Sequence, residues 1–274
     1  MRLSLKTKFV IYFLCVVFSI YFLFPFIWMI LSALKTDVEV FSYPPKFFPE
    51  KFNFKNFYDA WHSQKFSVFL VNSLIITAFT TLGQVISGSL AAYGFARYKF
   101  KGDKILFSLM LATMMLPWDV TVIPQYMQFN ILGWIDTLKP LIIPALFGSA
   151  YYIYLLRQFL ETLPSDFAEA AKIDGANEFQ IYRMIYLPLM KPSIILVAVL
   201  NIIVVWNDYL GPLVFTNSSD KYTLALGLAA FKGVHSDAII YTMCISIIMC
   251  IPPIIIFFMA QKNIIEGISG GVKG

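Results

Sequence analysis

"EAAKIDGANEFQIYRMIYLP", residues 169–188, is a charged stretch within a chain that is otherwise mostly apolar. Asp166, just before this stretch, stands three residues from Glu169, which is the spacing of a capping pair that starts a helix. Gly175 follows, and glycine commonly ends a helix because it adopts the left-handed conformation cheaply. This part of the sequence therefore predicts a short helix that ends in a glycine turn.

The second half of the stretch predicts another helix. Asn177 is a preferred capping residue, Gln180 stands at the matching position, and the following segment runs toward Pro188. A helix, a turn and a helix is also the outline of a DNA-reading motif. Between Glu161 and Lys191, however, five acidic residues outnumber three basic ones, and this net charge of −2 would repel phosphate. We therefore expect no nucleic-acid partner.

The composition of the whole chain indicates an integral membrane protein. Of its 274 residues, 59% are apolar and 14% are charged, whereas about a quarter of residues are charged in soluble domains. Roughly 20 apolar residues in a helix cross the hydrocarbon layer of a membrane. An all-α fold with six transmembrane helices is predicted from the stretches without Asp, Glu, Lys or Arg, which are 9–31, 67–96, 105–118, 140–156, 193–207 and 239–260.

The distribution of basic residues predicts the orientation of these spans. With both termini in the cytoplasm, 13 of the 21 Lys and Arg residues lie inside, in the direction of the positive-inside rule. We therefore expect one transmembrane domain over 1–274 with both termini cytoplasmic in the cell membrane. Its extramembrane parts would be an external loop at 36–66 with a short helix near 56–63, a cytoplasmic loop at 161–191 and a cytoplasmic tail at 261–274.

The sequence carries no motif for catalysis or metal binding. Its glycine-rich end resembles a phosphate-binding loop at first, but Val272 stands where the second glycine belongs, and Gly274 follows Lys273 where Ser or Thr is required. The three cysteines lie in apolar segments without neighbouring ligands, so neither a disulfide nor a metal site is expected. We expect no enzyme and no cofactor on this chain.

A cluster of four residues near the outer end of the fifth span has two interpretations. Trp206, Asn207, Asp208 and Tyr209 combine aromatic and polar groups that suit a translocation path. Trp and Tyr at that depth are also common interfacial anchors. The predicted span cores hold no carboxylate of the kind that proton- or sodium-driven carriers usually keep, but Asp208 leaves a secondary transporter as an alternative.

Two prolines interrupt the apolar run that contains the third span. Pro117 and Pro124 are expected to bracket a broken segment, because proline removes a backbone donor. Irregular backbone at membrane depth is tolerated where it faces protein or a watery cavity, so this segment is expected either to border a translocation path or to form a helix end followed by an interfacial helix.

The fixed residues of 169–188 resemble a known motif. Glu169-Ala170-Ala171, three residues, Gly175, nine residues, then Ile185, one residue, Leu187 and Pro188 reproduce the EAA motif of the membrane subunits of binding-protein-dependent ABC importers. The resemblance covers essentially the whole chain and is greatest to carbohydrate importers, in particular to the second, six-span membrane subunit of the maltose-type importers. WNDYLGPL at 206–213, LPWDVTVIPQY at 116–126 and the glycine-rich tail are similar to that branch.

The resemblance implies a coupling role for the charged stretch and a set of partners. The working assembly would hold a second homologous membrane subunit, two ATPase subunits that bind ATP and Mg, and an external solute-binding protein. The residues that would contact the ATPase are Glu169, Ala170, Ala171, Asp174 and Gly175 in the coupling helix, and Gly271, Lys273 and Gly274 in the tail. The alternatives are an importer of a non-sugar solute, such as an amino acid or glycerol phosphate, and a membrane scaffold or receptor without transport.

Overall fold

A computed structural model describes residues 4–231 and 238–270, and all regular secondary structure within them is helical. The predicted all-α class is therefore confirmed for this part of the chain. In chain order the α-helices are α1 Leu5–Ala33, α2 Asp37–Val40, α3 Lys55–His62, α4 Phe66–Arg97, α5 Asp103–Ala112, α6 Trp118–Ile131, α7 Lys139–Ile142, α8 Ala150–Glu161, α9 Asp166–Ile173, α10 Glu178–Ile181, α11 Leu187–Leu189, α12 Lys191–Trp206, α13 Leu210–Phe215, α14 Leu224–Ala230 and α15 Ala238–Gly270.

Four helical segments among the described residues are long and apolar enough to cross a membrane. They are Leu5–Ala33, Phe66–Arg97, Lys139–Glu161 and Ile239–Ile265. Two further pairs of helices, Asp103–Met115 with Trp118–Ile131 and Glu178–Leu189 with Lys191–Trp206, pass the same criterion together, but they bend by 98° and 73°. The number of spans is thus four, or up to six if each bent pair is one span.

The 98° bend lies at Pro117, as the sequence predicts. Pro117 has extended backbone angles of φ −66° and ψ 145°, and α6 begins at the next residue. Pro124, in contrast, lies inside α6, and the helix continues past it to Ile131. The expectation that both prolines break the run is therefore wrong for Pro124, because a proline within a helix removes a single donor and does not have to end the helix.

The chain clusters into two compact units, and the first consists of the described parts of Met1–Phe66 and Leu228–Ile251. In this unit the segment after α1 is more regular than the irregular loop that the sequence predicts. Asn56, at the start of α3, donates hydrogen bonds of 2.8 Å to the carbonyls of Ala33 and Lys35. The buried carboxylate of Glu39 accepts bonds from the backbone N–H groups of Thr36 and Glu50. The helix expected near 56–63 is confirmed as α3.

The second unit consists of Ser67–Gly227 and the described part of Pro252–Gly274, and its main buried cluster joins α4 to α8, α10 and α12. Polar side chains join α4 to its neighbours. Buried Asn201 on α12 donates to the hydroxyl of Thr81 at 2.9 Å, and Gln84 accepts a 2.7 Å bond from the backbone of Ser149. Such interhelical bonds are a common means of holding apolar helices together where no hydrophobic effect acts. The main buried cluster is Ala92, Tyr93, Tyr152, Ile153, Leu156, Leu160, Ile181, Tyr182, Tyr186, Met190 and Val197.

Candidate coupling site

Helix α9 carries the first residues of the EAA motif on its exposed surface. It begins at Asp166, and both Asp166 and Glu169 lie in its first turn, where carboxylates interact favourably with the helix dipole. They are not a capping pair, because the N-cap is Ser165, whose side chain makes no capping bond. The backbone of Ser165 is already helical at φ −73° and ψ −23°, so the chain enters the helix one residue earlier than the pattern predicts.

The turn after α9 is a Schellman motif centred on Gly175. The N–H of Gly175 donates to the carbonyl of Lys172 at 3.1 Å, and the N–H of Ala176 donates to the carbonyl of Ala171 at 2.9 Å. Gly175 has φ +81°, in the left-handed region that the sequence predicts for it. These bonds satisfy two carbonyls at the end of the helix and direct the chain toward α10.

A reciprocal capping box starts the second helix, as predicted. The N–H of Gln180 donates to Asn177 Oδ1 at 2.9 Å, and the N–H of Asn177 donates to Gln180 Oε1 at 2.8 Å. The chain continues from α10 through a π-helical turn, Tyr182–Tyr186, into the short helix Leu187–Leu189. Helix, glycine turn and helix are therefore all present at 166–181.

An ion pair across the turn joins the two short helices to α4. Lys172 Nζ lies 2.7 Å from Glu178 Oε1, and Glu178 Oε2 accepts a 2.8 Å hydrogen bond from the hydroxyl of Tyr98, directly after α4. The hydrogen bond and the charge of Glu178 raise the pKa of Lys172 above its usual value. Sequence reasoning did not assign these residues, although opposite charges on either side of a glycine turn were a usable signal.

The second half of the EAA motif packs into the core. Ile185 and Leu187 are partly buried against the main cluster. Nearby, Tyr182 and Ser89 share a 2.8 Å hydrogen bond between their hydroxyls, and the guanidinium of Arg97 lies 4.5 Å from the ring centroid of Tyr186. The motif therefore divides into an exposed half on α9 and a buried half that anchors it.

The exposed half forms what we call the α9 face, made of Phe167, Glu169, Ala170, Ile173 and Gly175. All five residues are exposed, and Ile173 is 87% exposed although it is apolar. A hollow of about 350 Å³ adjoins this face and is lined by Ala171, Asp174, Gly175, Ala176, Gln180, Ile181, Met184 and Ile185. Exposed apolar side chains with a polar rim, here Phe167 and Ile173 beside charged residues, are typical of a surface that binds another protein.

The four residues proposed for a translocation path point into different surroundings. Trp206 is buried, and Asn207 donates to the carbonyl of Ile203 at 2.8 Å, at the end of α12. Asp208 accepts a 3.0 Å bond from the N–H of Gly211 and lines a cavity of about 480 Å³, whereas Tyr209 is exposed. Of the four, Asp208 alone lines that cavity.

Two other sequence expectations concern the tail and metal binding. Gly271, Lys273 and Gly274 lie outside the described residues. Across 4–231 and 238–270, no group of three or more His, Cys, Asp or Glu residues is placed to hold a metal ion.

Comparison with known proteins places this architecture in a family. A family model described as binding-protein-dependent transport system inner membrane component matches residues 84–267, a range that includes the whole candidate coupling site. Among solved structures, that of a bacterial ABC transporter involved in the import of the acidic polysaccharide alginate matches with a TM-score of 0.83. It is 23% identical in sequence, and the match covers 96% of this chain and 99% of that chain, which shows a shared fold.

Curated relatives match over nearly the whole chain. The arabinooligosaccharides transport system permease protein AraQ of Bacillus subtilis is 33% identical over 262 residues, which cover 93% of this chain and 92% of the relative. The diacetylchitobiose uptake system permease protein NgcG of Streptomyces coelicolor is 27% identical over 261 residues, which cover 94% and 86%. The chain is therefore a member of the family of binding-protein-dependent transport system inner membrane components, with the fold of an ABC importer permease.

Proposed function

We propose that the chain is one membrane-spanning subunit of an ATP-driven, binding-protein-dependent sugar importer, in which it forms half of the translocation path. The support for sugar as the solute is the set of relatives, whose names specify arabinooligosaccharides, diacetylchitobiose, melibiose, raffinose, stachyose and lactose. An oligosaccharide is the substrate class that these names share. The same relatives favour a sugar over an amino acid or glycerol phosphate.

The observation that carries the proposal is that the α9 face is exposed, although the turn next to it is held in place by bonds within this chain. The Schellman motif, the capping box and the Lys172–Glu178 pair are all formed within this chain, yet Phe167 and Ile173 remain exposed. We propose that Glu169, Ala170, Ala171, Asp174 and Gly175 dock in a cleft of a separate ATPase subunit. The tail residues Gly271, Lys273 and Gly274 are proposed to contact the same subunit.

The proposed topology has six spans with both termini and the 161–191 loop in the cytoplasm. Each bent pair of helices then counts as one span. The positive-inside distribution supports this orientation, with 13 of 21 basic residues on the cytoplasmic side. The loop at 36–66 would face the solute-binding protein outside.

Transport in this proposal is a two-state switch that a partner controls. ATP and Mg bind to the ATPase dimer, and its closure draws together the coupling helices of this subunit and of a second homologous subunit. The spans then pass from an inward-open to an outward-open state, and hydrolysis on the partner resets them. Asp208, at its cavity, is the residue of the 206–209 cluster best placed to meet a sugar hydroxyl on the path.

Reversal of the charge at Glu169 tests the docking role. Within the described residues the Glu169 carboxylate has no partner, so Glu169→Lys is expected to leave the fold intact. In the proposed complex it would replace attraction between this carboxylate and a basic groove on the ATPase subunit by repulsion. A charge-assisted hydrogen bond contributes about 1.5–3 kcal/mol, so recovery of the ATPase with the purified permease and uptake of labelled oligosaccharide should both fall by about tenfold or more.

The matched control is Asp59→Lys, the same charge change on α3 in the predicted external loop. This variant should retain normal recovery of the ATPase, because the loop at 36–66 is proposed to lie on the opposite side of the membrane from the ATPase. Normal uptake and normal ATPase recovery with Glu169→Lys would contradict the docking role. If the unaltered complex, with its binding protein, takes up none of the oligosaccharides, the sugar assignment is contradicted.

A further inference from the structure

A basic pocket, separate from the candidate coupling site, lies where α4 and α5 meet α8 in the second unit. We call it the Lys99–Arg157 pocket. Its volume is about 280 Å³, and its lining combines three cations with two phenylalanine rings, a hydroxyl and one carboxylate. These residues are Phe95, Lys99, Asp103, Lys104, Phe107, Ser108 and Arg157.

Arg157 is the fixed element of the pocket. Its guanidinium pairs with Glu161 at 2.7 Å and lies 3.8 Å from the ring centroid of Phe107. Phe95 packs against the same ring at 5.4 Å between centroids. The Nε of Arg157 is buried and has no acceptor among the described residues. A buried guanidinium N–H without an acceptor is costly. The rest of the Arg157 side chain is partly exposed and places its charge beside the pocket, where it attracts an anionic ligand.

The charges at the pocket fit a singly charged anion. Asp103 accepts a 2.6 Å bond from the backbone of Lys104 at the start of α5, and Glu161 neutralises part of the charge of Arg157. Lys99, Lys104 and Arg157 therefore leave one net positive charge when both carboxylates are counted. A phosphodiester carries one negative charge, and Arg and Lys are the usual partners of phosphate oxygens.

The pocket lies near the end of a predicted membrane span and next to an exposed apolar surface on α5. Lys99 comes three residues after the uncharged stretch 67–96, at the same end of α4 as the candidate coupling site. On α5, directly after Lys104, the apolar side chains of Ile105, Leu106 and Leu109 are 68%, 51% and 59% exposed. A ligand with an anionic head and an apolar tail matches both features, since basic pockets at the cytoplasmic membrane surface favour anionic lipids.

We propose that the Lys99–Arg157 pocket binds the phosphodiester of an anionic phospholipid, with the acyl chains against the exposed side of α5. Lys99 and Lys104 contact the phosphate oxygens, and Arg157 supplies the fixed donor. Free phosphate shares the chemistry of the head but not the apolar tail. The proposal rests on the membrane location of the family and on the proposed cytoplasmic position of this end of α4, and it holds for any transported solute.

Native mass spectrometry of the full chain in its purified complex tests the proposal. Phosphatidylglycerol, phosphatidylcholine and inorganic phosphate are added separately, and retained adducts are counted. The unaltered protein should retain phosphatidylglycerol in preference to phosphatidylcholine. The variant Lys99→Gln/Lys104→Gln should lose phosphatidylglycerol by about tenfold or more, because it removes two of the three cations that line the pocket.

The matched control is Lys101→Gln/Lys191→Gln, which removes two exposed lysines that do not line the pocket. It should change retention by less than about twofold. Arg157→Lys keeps the charge but removes the planar guanidinium, and it should also lose lipid. Equal losses in the pocket and control variants would overturn the proposal. Retention of inorganic phosphate without retention of phosphatidylglycerol, dependent on Lys99 and Lys104, would assign the pocket to free phosphate and overturn the proposal as well.

Discussion

At the scale of single residues, the conformation of Gly175 sets the path of the proposed coupling segment, residues 166–181. Its φ of +81° lies in the left-handed region, and a Cβ added there would meet no heavy atom within 4 Å. Glycine is therefore required at this position for its backbone conformation and not because a larger side chain would clash. The backbone effect can thus be tested by substitution without a steric clash within this chain.

Gly175→Val should abolish uptake, whereas Gly175→Asn should retain most of it. A β-branched residue in the left-handed region costs on the order of 1–2 kcal/mol, and asparagine tolerates that region better. The variants are compared by solute uptake and ATPase recovery, with the amount of inserted protein as the reference. Equal uptake by the Val and Asn variants would show that the turn does not depend on the conformation of residue 175.

Residues whose roles follow local rules could be predicted from the sequence. Gly175 and Asn177 act through backbone groups only a few residues away, so spacing alone identified the turn and the capping box. Asp166 was assigned wrongly as a cap, because the helical backbone of Ser165 is not visible in a pattern of residue types. The separate surroundings of Trp206 and Asp208 depend on helix rotation, which the sequence does not specify.

At the scale of elements, Glu178 connects the coupling segment to the long helix α4. Its two carboxylate oxygens are used by Lys172 and Tyr98, so α9, α10 and the end of α4 meet at one side chain. These bonds link the α9 face to the end of α4. The side chains of Lys172 and Glu178 are 55% and 45% exposed, so the contribution of the pair to stability is modest.

Glu178→Gln should loosen the turn without unfolding the chain. Exposed pairs contribute about 0.2–1 kcal/mol, so hydrogen exchange in a peptide that covers 166–181 should accelerate by about two- to fivefold. Glu161→Gln, which removes an acid from a different ion pair, is the control and should leave that peptide unchanged. Unaltered exchange in Glu178→Gln would show that the Schellman motif and capping box hold the turn alone.

The loop after α1 is expected to depend on pH through Glu39. Hydrogen bonds from the backbone of Thr36, and then from that of Glu50, lower the pKa of Glu39. Since the folded pKa lies below the unfolded value of about 4.3, the stabilisation is present above that pH and is lost as the pH falls through the folded pKa. After correction for intrinsic rates, hydrogen exchange at 44–53 should accelerate on acidification below about pH 4.

The variant Glu39→Gln gives the control for this titration. Its loop should exchange faster than the unaltered one at pH 7, and its exchange should respond little to acid. An unaltered loop that shows no acid response would mean that Glu39 does not hold α2 and Glu50 together.

Contacts between elements explain why the sequence predicted the helices better than their connections. Apolar length identified the long helices, since it depends on composition alone. The bond between Tyr98 and Glu178 joins residues 80 positions apart, and no local pattern specifies such a pair. The same holds for the regular segment after α1, where Asn56 reaches back 23 residues to Ala33.

At the scale of the whole molecule, the proposed orientation can be tested by labelling. Cys15, Cys244 and Cys250 are first replaced by Ser, and then Lys51→Cys and Lys101→Cys are made singly at exposed positions. A membrane-impermeant maleimide should label Lys51→Cys in intact cells and Lys101→Cys only after the cells are permeabilised. The opposite pattern would invert the topology and place the α9 face outside the cell, away from ATP.

The hydrogen bonds and the ion pair within the proposed coupling segment bear on whether this subunit could be paired with a different ATPase. Lys172, Gly175, Asn177 and Glu178 fix the shape of the segment through bonds within this chain, so the proposed docking surface needs no partner to take its shape. The specificity of the surface for a partner would depend on exposed side chains such as Phe167 and Ile173. If the proposed docking holds, exchanging the exposed side chains at 167 and 173 would change the preference for a partner ATPase while the turn keeps its shape.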